Sequence, residues 1–129
     1  MTGMILSLAD ALNAYGHRAY LITTDGAKPH ASRVPVSLHR GGLSLELGKT
    51  AARNSVAHSA VSLLWPPWDD TGYDLIVNGE LSVDTRTTPV PEQDTARAIL
   101  RVSKAVLHQP GKPRDQDSLC KADCRRLTF

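Results

Sequence analysis

Apolar and polar residues alternate along much of this chain, which is the pattern of strands with one buried face. Five segments follow it: residues 19–24, 28–38, 43–47, 60–65 and 73–83. The dipeptide Asp25-Gly26 is a strong hairpin signal between the first two strands. Pro35 indicates an edge or a bulge in the second strand, and Gly79 a bend or bulge in the last.

Three other segments predict helices: residues 4–15, 50–58 and 91–107. Gly16 is a natural C-cap for the first helix, and Thr50 is the expected N-cap of the second. The third helix is predicted from an apolar stripe formed by Ala96, Ile99, Leu100, Val102 and Val106. Residues 122–129 predict a last strand.

This order of elements indicates a fold that is mainly β, with flanking helices. Because hairpin connections dominate, the sheet is expected to be mostly antiparallel. Six bent strands then predict a small antiparallel barrel. With 129 residues, the chain is expected to form a single domain over residues 1–129.

Composition narrows the class of protein further. At 41% hydrophobic and 22% charged residues, the chain is typical of globular proteins, not of disordered or coiled-coil proteins. A net charge of +2 gives no reason to expect a nucleic-acid partner. The sequence has no apolar stretch of membrane-spanning length and no basic signal region, so we expect a cytoplasmic protein with no membrane partner. Cys120 and Cys124 form one close pair whose role stays open.

The turn Gly48-Lys49-Thr50 joins a strand to a short helix and resembles the end of a phosphate-binding loop. The full motif requires glycine at the position of Leu43, so a nucleotide hydrolase is excluded. A weaker hypothesis survives, because a strand-to-helix turn presents backbone N–H groups and a positive dipole end to an anion. Lys49, Thr50 and Arg53 would then bind a phosphate; the alternative is a surface cap with two solvated bases.

Arg33 is predicted to point away from the core face formed by Val34 and Val36, either into a groove or into solvent. Trp65 and Trp68 border a proline-stiffened loop, where one of them could stack on a planar ligand or seal a subunit interface. Burial of at least one of them is the alternative. We include Trp65 among the candidate cofactor contacts.

Other chemistry finds little support in the sequence. The five histidines lack the spacing of a metal site, so no metal is expected. No nucleophile-elbow motif is present, and spacing alone pairs no serine or cysteine with a base. Catalytic side chains therefore stay unassigned.

The strings AYLITTDGAKPHASRVPV, GGLSLELGKTAARN and AVSLLWPPWDDTGYDLIVNGEL, in this order, resemble the pyridoxamine 5′-phosphate oxidase-like family of FMN-binding split barrels. The resemblance covers residues 17–86 and extends more loosely to the whole chain. It implies a six-stranded antiparallel split barrel that forms a homodimer, with the cofactor in grooves between the subunits.

The resemblance also implies a cofactor site. The phosphate would be bound by Arg33 on the second strand and by Lys49, Thr50 and Arg53 around the start of the short helix. The flavin ring would lie against the backbone of residues 34–37, which are Val34, Pro35, Val36 and Ser37. Ala51 departs from the family, because many members have a basic residue at that position.

The chain also lacks the long C-terminal extension of true pyridoxamine-phosphate oxidases, which disfavours that activity. Short members are more similar to relatives that use FMN or a deazaflavin coenzyme on other substrates. The sequence therefore predicts an oxidoreductase that exchanges hydride or electrons between FMN, or alternatively the deazaflavin, and a small organic substrate. A non-catalytic flavin carrier or a cofactor-free barrel is the second hypothesis, and haem binding through an axial histidine is a third.

Overall fold

The computed structural model describes residues 5, 7–68, 72–84, 95–110 and 122–129. Its two helices are α1 (Leu8–Tyr15) and α2 (Lys49–Ala57). Its strands are β1 (Arg18–Thr24), β2 (Pro29–His39), β3 (Gly42–Leu47), β4 (Ala60–Trp65), β5 (Asp74–Val83), β6 (Ala96–Pro110) and β7 (Ala122–Arg126).

The first six strands form a closed antiparallel barrel. The sheet order is β3-β2-β1-β4-β5-β6-β7, and an additional pairing of β3 with β6 closes it. The long strand β6 pairs with β5 along one edge, while its other edge pairs with β3 through Ala96–Leu100 and with β7 through Val106–Pro110. The predicted split barrel is therefore confirmed, with β7 added beside it.

Period-two alternation sends every second strand residue into the barrel. The core includes Leu21 of β1, Leu45 of β3, Leu63 of β4, Val77 of β5 and Leu100 of β6, each at most 1% exposed. The outer face of the same strands stays open to solvent or to a partner. A ligand of this protein is therefore more easily accommodated outside the barrel wall than within it.

Helix α1 begins later than predicted. Residues 4–15 were expected to be helical, but Ser7 is the N-cap, its hydroxyl accepts the Asp10 N–H at 3.2 Å, and the helix starts at Leu8. Gly16 ends it at a φ of 92°, as a C-cap glycine does. The Gly16 carbonyl accepts the indole N–H of Trp65 at 3.0 Å, which ties α1 to β4.

The largest error of the sequence analysis concerns residues 96–107, which form most of β6 and not a helix. In β6, Ala98, Leu100 and Val102 face the core, and the next core residue is Ala105. Asn78 pairs with Lys104 but Gly79 with Val102, so Ser103 is an extra residue in a β-bulge. The bulge shifts the alternation of buried and exposed residues by one position. The resulting spacing of apolar residues resembles that of a helix. A register shift does occur at Gly79, where a bend or bulge was predicted, but the extra residue belongs to β6 and not to the strand that contains Gly79.

Helix α2 begins one residue before the predicted start. Gly48 is its N-cap, without a side-chain capping bond, so Thr50 lies in the first turn and is not the N-cap. This difference moves Lys49 from the preceding turn into the helix.

The hairpin predicted at Asp25-Gly26 is also confirmed. One Asp25 carboxylate oxygen accepts the backbone N–H groups of Ala27 at 2.8 Å and Lys28 at 2.7 Å. These hydrogen bonds, first that of Lys28 and then that of Ala27, lower the pKa of Asp25 below its ordinary value of 3.8. Gly26 turns the chain at a φ of 98°.

Candidate functional site

The outer face of β2 carries the exposed members of the predicted site. Arg33, Pro35 and Ser37 are exposed, whereas Val34 and Val36 are buried in the core at 2% each. A ligand on this face would therefore contact the side chains of the first three and only the backbone of the two valines. This alternation agrees with the orientation predicted for Arg33.

Arg33 lies against an aromatic ring on the neighbouring strand. Tyr20 of β1 pairs directly with Arg33, and the guanidinium carbon is 5.8 Å from the centre of its ring. Tyr20 is 40% exposed, so the pair presents an aromatic edge and a cation together. The sequence analysis missed Tyr20, although Arg18, Tyr20 and Ile22 alternate with core residues in the same way as Arg33.

Two further cations lie on α2. Lys49 and Arg53 are both exposed, and their spacing of four residues puts them on one face of the helix. No acidic residue occupies the first turn, so the positive end of the helix dipole is not offset there. Thr50 lies between them in the sequence and is half-buried, and it adds a hydroxyl group. This face of α2 is suited to an anion.

The opposite face of α2 is anchored to the barrel. Ala51 is 1% exposed, and the buried Asn54 amide donates to the Thr23 hydroxyl of β1 at 3.1 Å. A basic side chain at position 51 would therefore be directed towards the barrel interior in this arrangement. Ala51 therefore belongs to the packed face of α2, and the cations of α2 are found at positions 49 and 53.

The ladder between β2 and β3 does not extend to Arg33. β3 pairs with β2 only from Val36 to His39, and the described partner of residues 29–35 is β1. Pro35 lies where this pairing stops, as expected for a proline at a strand edge. Helix α2 follows β3 directly and packs against β1, β2, β3 and β5. Arg33 and the cations of α2 thus belong to neighbouring elements.

The structure does not place Trp65 with these residues. Its side chain is 1% exposed within the core, where its indole N–H is bonded to Gly16. Trp68 is 46% exposed and packs edge-on against Tyr15, with ring centres 6.3 Å apart. Of the two tryptophans, Trp68 is therefore the one that presents surface to a ligand or partner.

A groove of about 790 Å³ runs along the outer face of β1, β4, β5 and β6, and none of the predicted site residues lines it. Ile22 and Thr24 of β1 line it together with Ser62 of β4 and Asn78 of β5. The Ser62 hydroxyl donates to the Asn78 side-chain oxygen at 2.6 Å, so the wall is polar and ordered. This size falls within the range of small-molecule and cofactor sites.

In the described part of the chain, no three His, Cys, Asp or Glu residues are arranged to bind a metal ion. The two described helices are too short to cross a membrane. Cys120 lies outside the described residues.

Comparisons with known proteins find two relatives by sequence and several solved structures that share the fold at lower sequence identity. No family model matches the sequence. Two uncharacterized proteins, Mb0449c of Mycobacterium bovis and MT0457 of Mycobacterium tuberculosis, are each 35% identical over 130 residues, covering 91% of this chain and 89% of theirs.

Solved structures share the fold at lower identity. A pyridoxamine 5′-phosphate oxidase-like protein of Listeria innocua is 15% identical, with a TM-score of 0.60 over 78% of this chain and 98% of its own. The heme storage protein HutZ of Vibrio cholerae is 16% identical, with a TM-score of 0.57 over 75% of this chain and 91% of its own. The chain therefore belongs to the family of Mb0449c and MT0457, and its fold is the split barrel of the pyridoxamine 5′-phosphate oxidase-like proteins.

Proposed function

We propose that this protein is a homodimeric oxidoreductase that binds FMN or a deazaflavin coenzyme on the outer face of its barrel. One observation carries the proposal: exposed cations lie on β2 and on α2, two elements that pack against each other, and Arg33 of β2 lies against the aromatic ring of Tyr20. The cations and the Tyr20 ring together match a ligand with a planar ring and an anionic tail.

The cations account for the anionic end of such a ligand. Arg33 extends from β2, and Lys49 and Arg53 extend from the first turns of α2. A phosphate at a helix N-terminus is stabilised by the dipole and by each charge-assisted hydrogen bond, worth about 1.5–3 kcal/mol. FMN ends in one phosphate and the deazaflavin in a longer anionic tail, so both remain compatible with this charge pattern.

The ring would be positioned by the strand face. Pro35 and Ser37 are exposed beside Arg33, and Tyr20 limits the site on the β1 side. When bound, a flavin supplies hydride or electron transfer itself, and the protein contributes binding, ring orientation and exclusion of water. No nucleophilic side chain is needed in this function.

A second copy of the chain would complete the groove. Tyr20 and Ile22 are 40% and 37% exposed on the central strand β1, and Leu64 and Ile76 are half-buried next to them. We call these four residues the apolar outer face. An exposed apolar patch on a sheet favours burial against a partner, and a twofold axis makes the same patch bury itself.

Haem is the competing ligand. HutZ, a heme storage protein, has the same fold as this chain. Cofactor-free protein should therefore be titrated separately with FMN, the deazaflavin coenzyme and haemin, with visible absorption recorded after removal of unbound ligand. We expect a bound flavin or deazaflavin spectrum, and bleaching of that spectrum by a reduced substrate would establish catalysis.

The same titration tests the site. Arg53→Ala should weaken cofactor binding about tenfold or more, because one charge-assisted contact of about 1.5 kcal/mol is lost. Arg40→Ala is the matched control, since Arg40 is an exposed arginine in the β2–β3 turn. Equal affinities of both variants and the parent would place the anion elsewhere. A Soret band with no flavin retained would replace the proposal with haem binding.

A further inference from the structure

Three side chains with complementary chemistry lie in one row across the last strands of the sheet. Asp74 of β5 pairs directly with His108 of β6, and His108 pairs directly with Cys124 of β7. Residues that are directly opposite in an antiparallel pair project to the same face, with Cβ atoms about 4.5–5.5 Å apart. The strand register therefore puts a carboxylate, an imidazole and a thiol side by side.

The row is accessible at its thiol end. Cys124 is exposed, while His108 and Asp74 are half-buried. β7 lies at the end of the sheet order, four strands from β1. The Asp74 end of the row adjoins the apolar outer face, since Asp74 and Ile76 lie on the same side of β5, and Cys124 is two strands further along the row.

Two cations lie on the same face of the sheet as the thiol. Arg126 is two residues along β7 on the same face, and Lys104 is the next charged residue on that face of β6. Asp74 is the one acid in the row, separated from Cys124 by His108. A thiolate beside an imidazole and a guanidinium is stabilised by both, and the thiolate is the nucleophilic form.

We propose that Cys124 is a nucleophilic thiol, paired with His108 as its base and with Asp74 as the group that orients the imidazole. Its substrate class is a low-molecular-weight disulfide that carries carboxylates, which Arg126 would attract. His108 takes the thiol proton, and the Cys124 sulfur attacks one sulfur of the disulfide. A mixed disulfide forms on Cys124, and the departing thiolate leaves as a thiol with the proton from His108.

This proposal is independent of the flavin function, because it uses no residue assigned to cofactor binding. In many folds a base and an orienting acid activate a nucleophile in this way when the three side chains come within hydrogen-bond reach. The sequence conceals it, since the three residues are 34 and 16 positions apart (108 − 74 and 124 − 108).

The test is the rate of reaction with 5,5′-dithiobis(2-nitrobenzoate), an aromatic disulfide with carboxylates, between pH 5 and 9. Full-length Cys120→Ala protein isolates Cys124, and Cys120→Ala/Cys124→Ser gives the background. At pH 7 we expect Cys124 to react about tenfold faster than free cysteine, with a rate that stays high at lower pH.

Positioning is tested in the same Cys120→Ala background. His108→Gln should lower the rate at pH 7 about tenfold and return its pH dependence to that of free cysteine, and Asp74→Asn should have a smaller effect in the same direction. Circular dichroism and cofactor affinity check that each variant is folded. A Cys124 rate equal to that of free cysteine, or a His108→Gln profile identical to its parent, would overturn the proposal.

Glutathione disulfide then tests the substrate class directly. Mass spectrometry should find one glutathione on Cys124 in the Cys120→Ala protein and much less after Arg126→Ala. Equal adduct formation in both proteins would remove the role of Arg126 in selecting acidic disulfides.

Discussion

Arg33 combines an aromatic contact with a positive charge, since its guanidinium lies over the ring of Tyr20, and its strand β2 packs against α2, which carries the other two cations. A side chain held between a ring and an anion needs little reordering when the anion binds. Whether Arg33 and Lys49 contact the same anion can be decided by measuring how far their contributions depend on each other.

We expect Arg33→Ala and Lys49→Ala to weaken cofactor binding non-additively. Two cations that share one phosphate are coupled, because each single variant already loosens the anion for the other. Titration of the parent, both single variants and the double variant should give a coupling energy of about 0.5–3 kcal/mol. Small, additive losses of binding free energy would mean that both side chains are solvated and that the phosphate lies elsewhere.

Asp25 makes a second prediction for a single residue. Its folded pKa is lowered, first by the hydrogen bond from Lys28 and then by that from Ala27, so its charge stabilises the fold above the unfolded pKa of about 3.8. That stabilisation is lost as the pH falls through the lower pKa of the folded state. Asp25→Asn, which retains an acceptor but no charge, should be less stable than the parent at pH 7.

Urea denaturation at pH 7, 5 and 3 measures this effect. The difference in free energy of unfolding between parent and Asp25→Asn should stay constant from pH 7 to 5 and narrow below about pH 4. A difference that is equally large at pH 5 and pH 3 would contradict the assigned cause.

Single residues were predictable where they depend on local alternation. The outward direction of Arg33 followed from the assignment of Val34 and Val36 to the core face of the same strand, and the same argument could have found Tyr20. The row of Asp74, His108 and Cys124 could not be found in this way, because it depends on the registers of three strands. Spacing along the chain carries no information about which residues become opposite.

At the scale of elements, the bulge in β6 shows where local patterns become ambiguous. Ser103 occupies an additional position opposite Asn78 and Gly79, so the core residues of β6 change from even to odd numbers. The strands without a bulge were predicted close to their observed limits. A helix was predicted for this segment because the five apolar residues taken as its stripe come from both faces of β6.

Gly79 should be essential to this bulge. A Cβ added there would collide with the carbonyl oxygen of Arg101, a backbone atom that cannot move without disturbing β6. Gly79→Ala should therefore lower the free energy of unfolding by about 2 kcal/mol or more, as overpacking against backbone does. Ser82→Ala, an exposed change on the same strand, is the control and should stay within about 0.5 kcal/mol.

Urea denaturation of the two variants makes this comparison. If Gly79→Ala were as stable as Ser82→Ala, the bulge would have to relax without cost, and the close approach of β5 and β6 would not be needed for stability.

At the scale of the molecule, the apolar outer face predicts the oligomeric state. Light scattering should give the mass of two chains of 14.0 kDa each at micromolar concentration. Ile22→Lys puts a charge at the centre of this face and should shift the protein to monomer, whereas Glu46→Lys on the exposed side of β3 should not. If the parent protein is a monomer, a second chain cannot be part of the proposed cofactor site.

The shared strand β6 also has a consequence for how the chain reaches its fold. The hairpins of β1–β2, β2–β3 and β4–β5 are local, but Leu47 pairs with Ala96 and Leu43 with Leu100, at separations of 49 and 57 residues. Because distant contacts require the closure of long loops, this pairing should form after the folding transition state. Substitutions at this junction, such as Leu43→Ala, should then accelerate unfolding in stopped-flow experiments and leave the refolding rate nearly unchanged. In such a barrel, the seam between β3 and β6 would determine how long the folded molecule survives, while the hairpins determine how fast it forms.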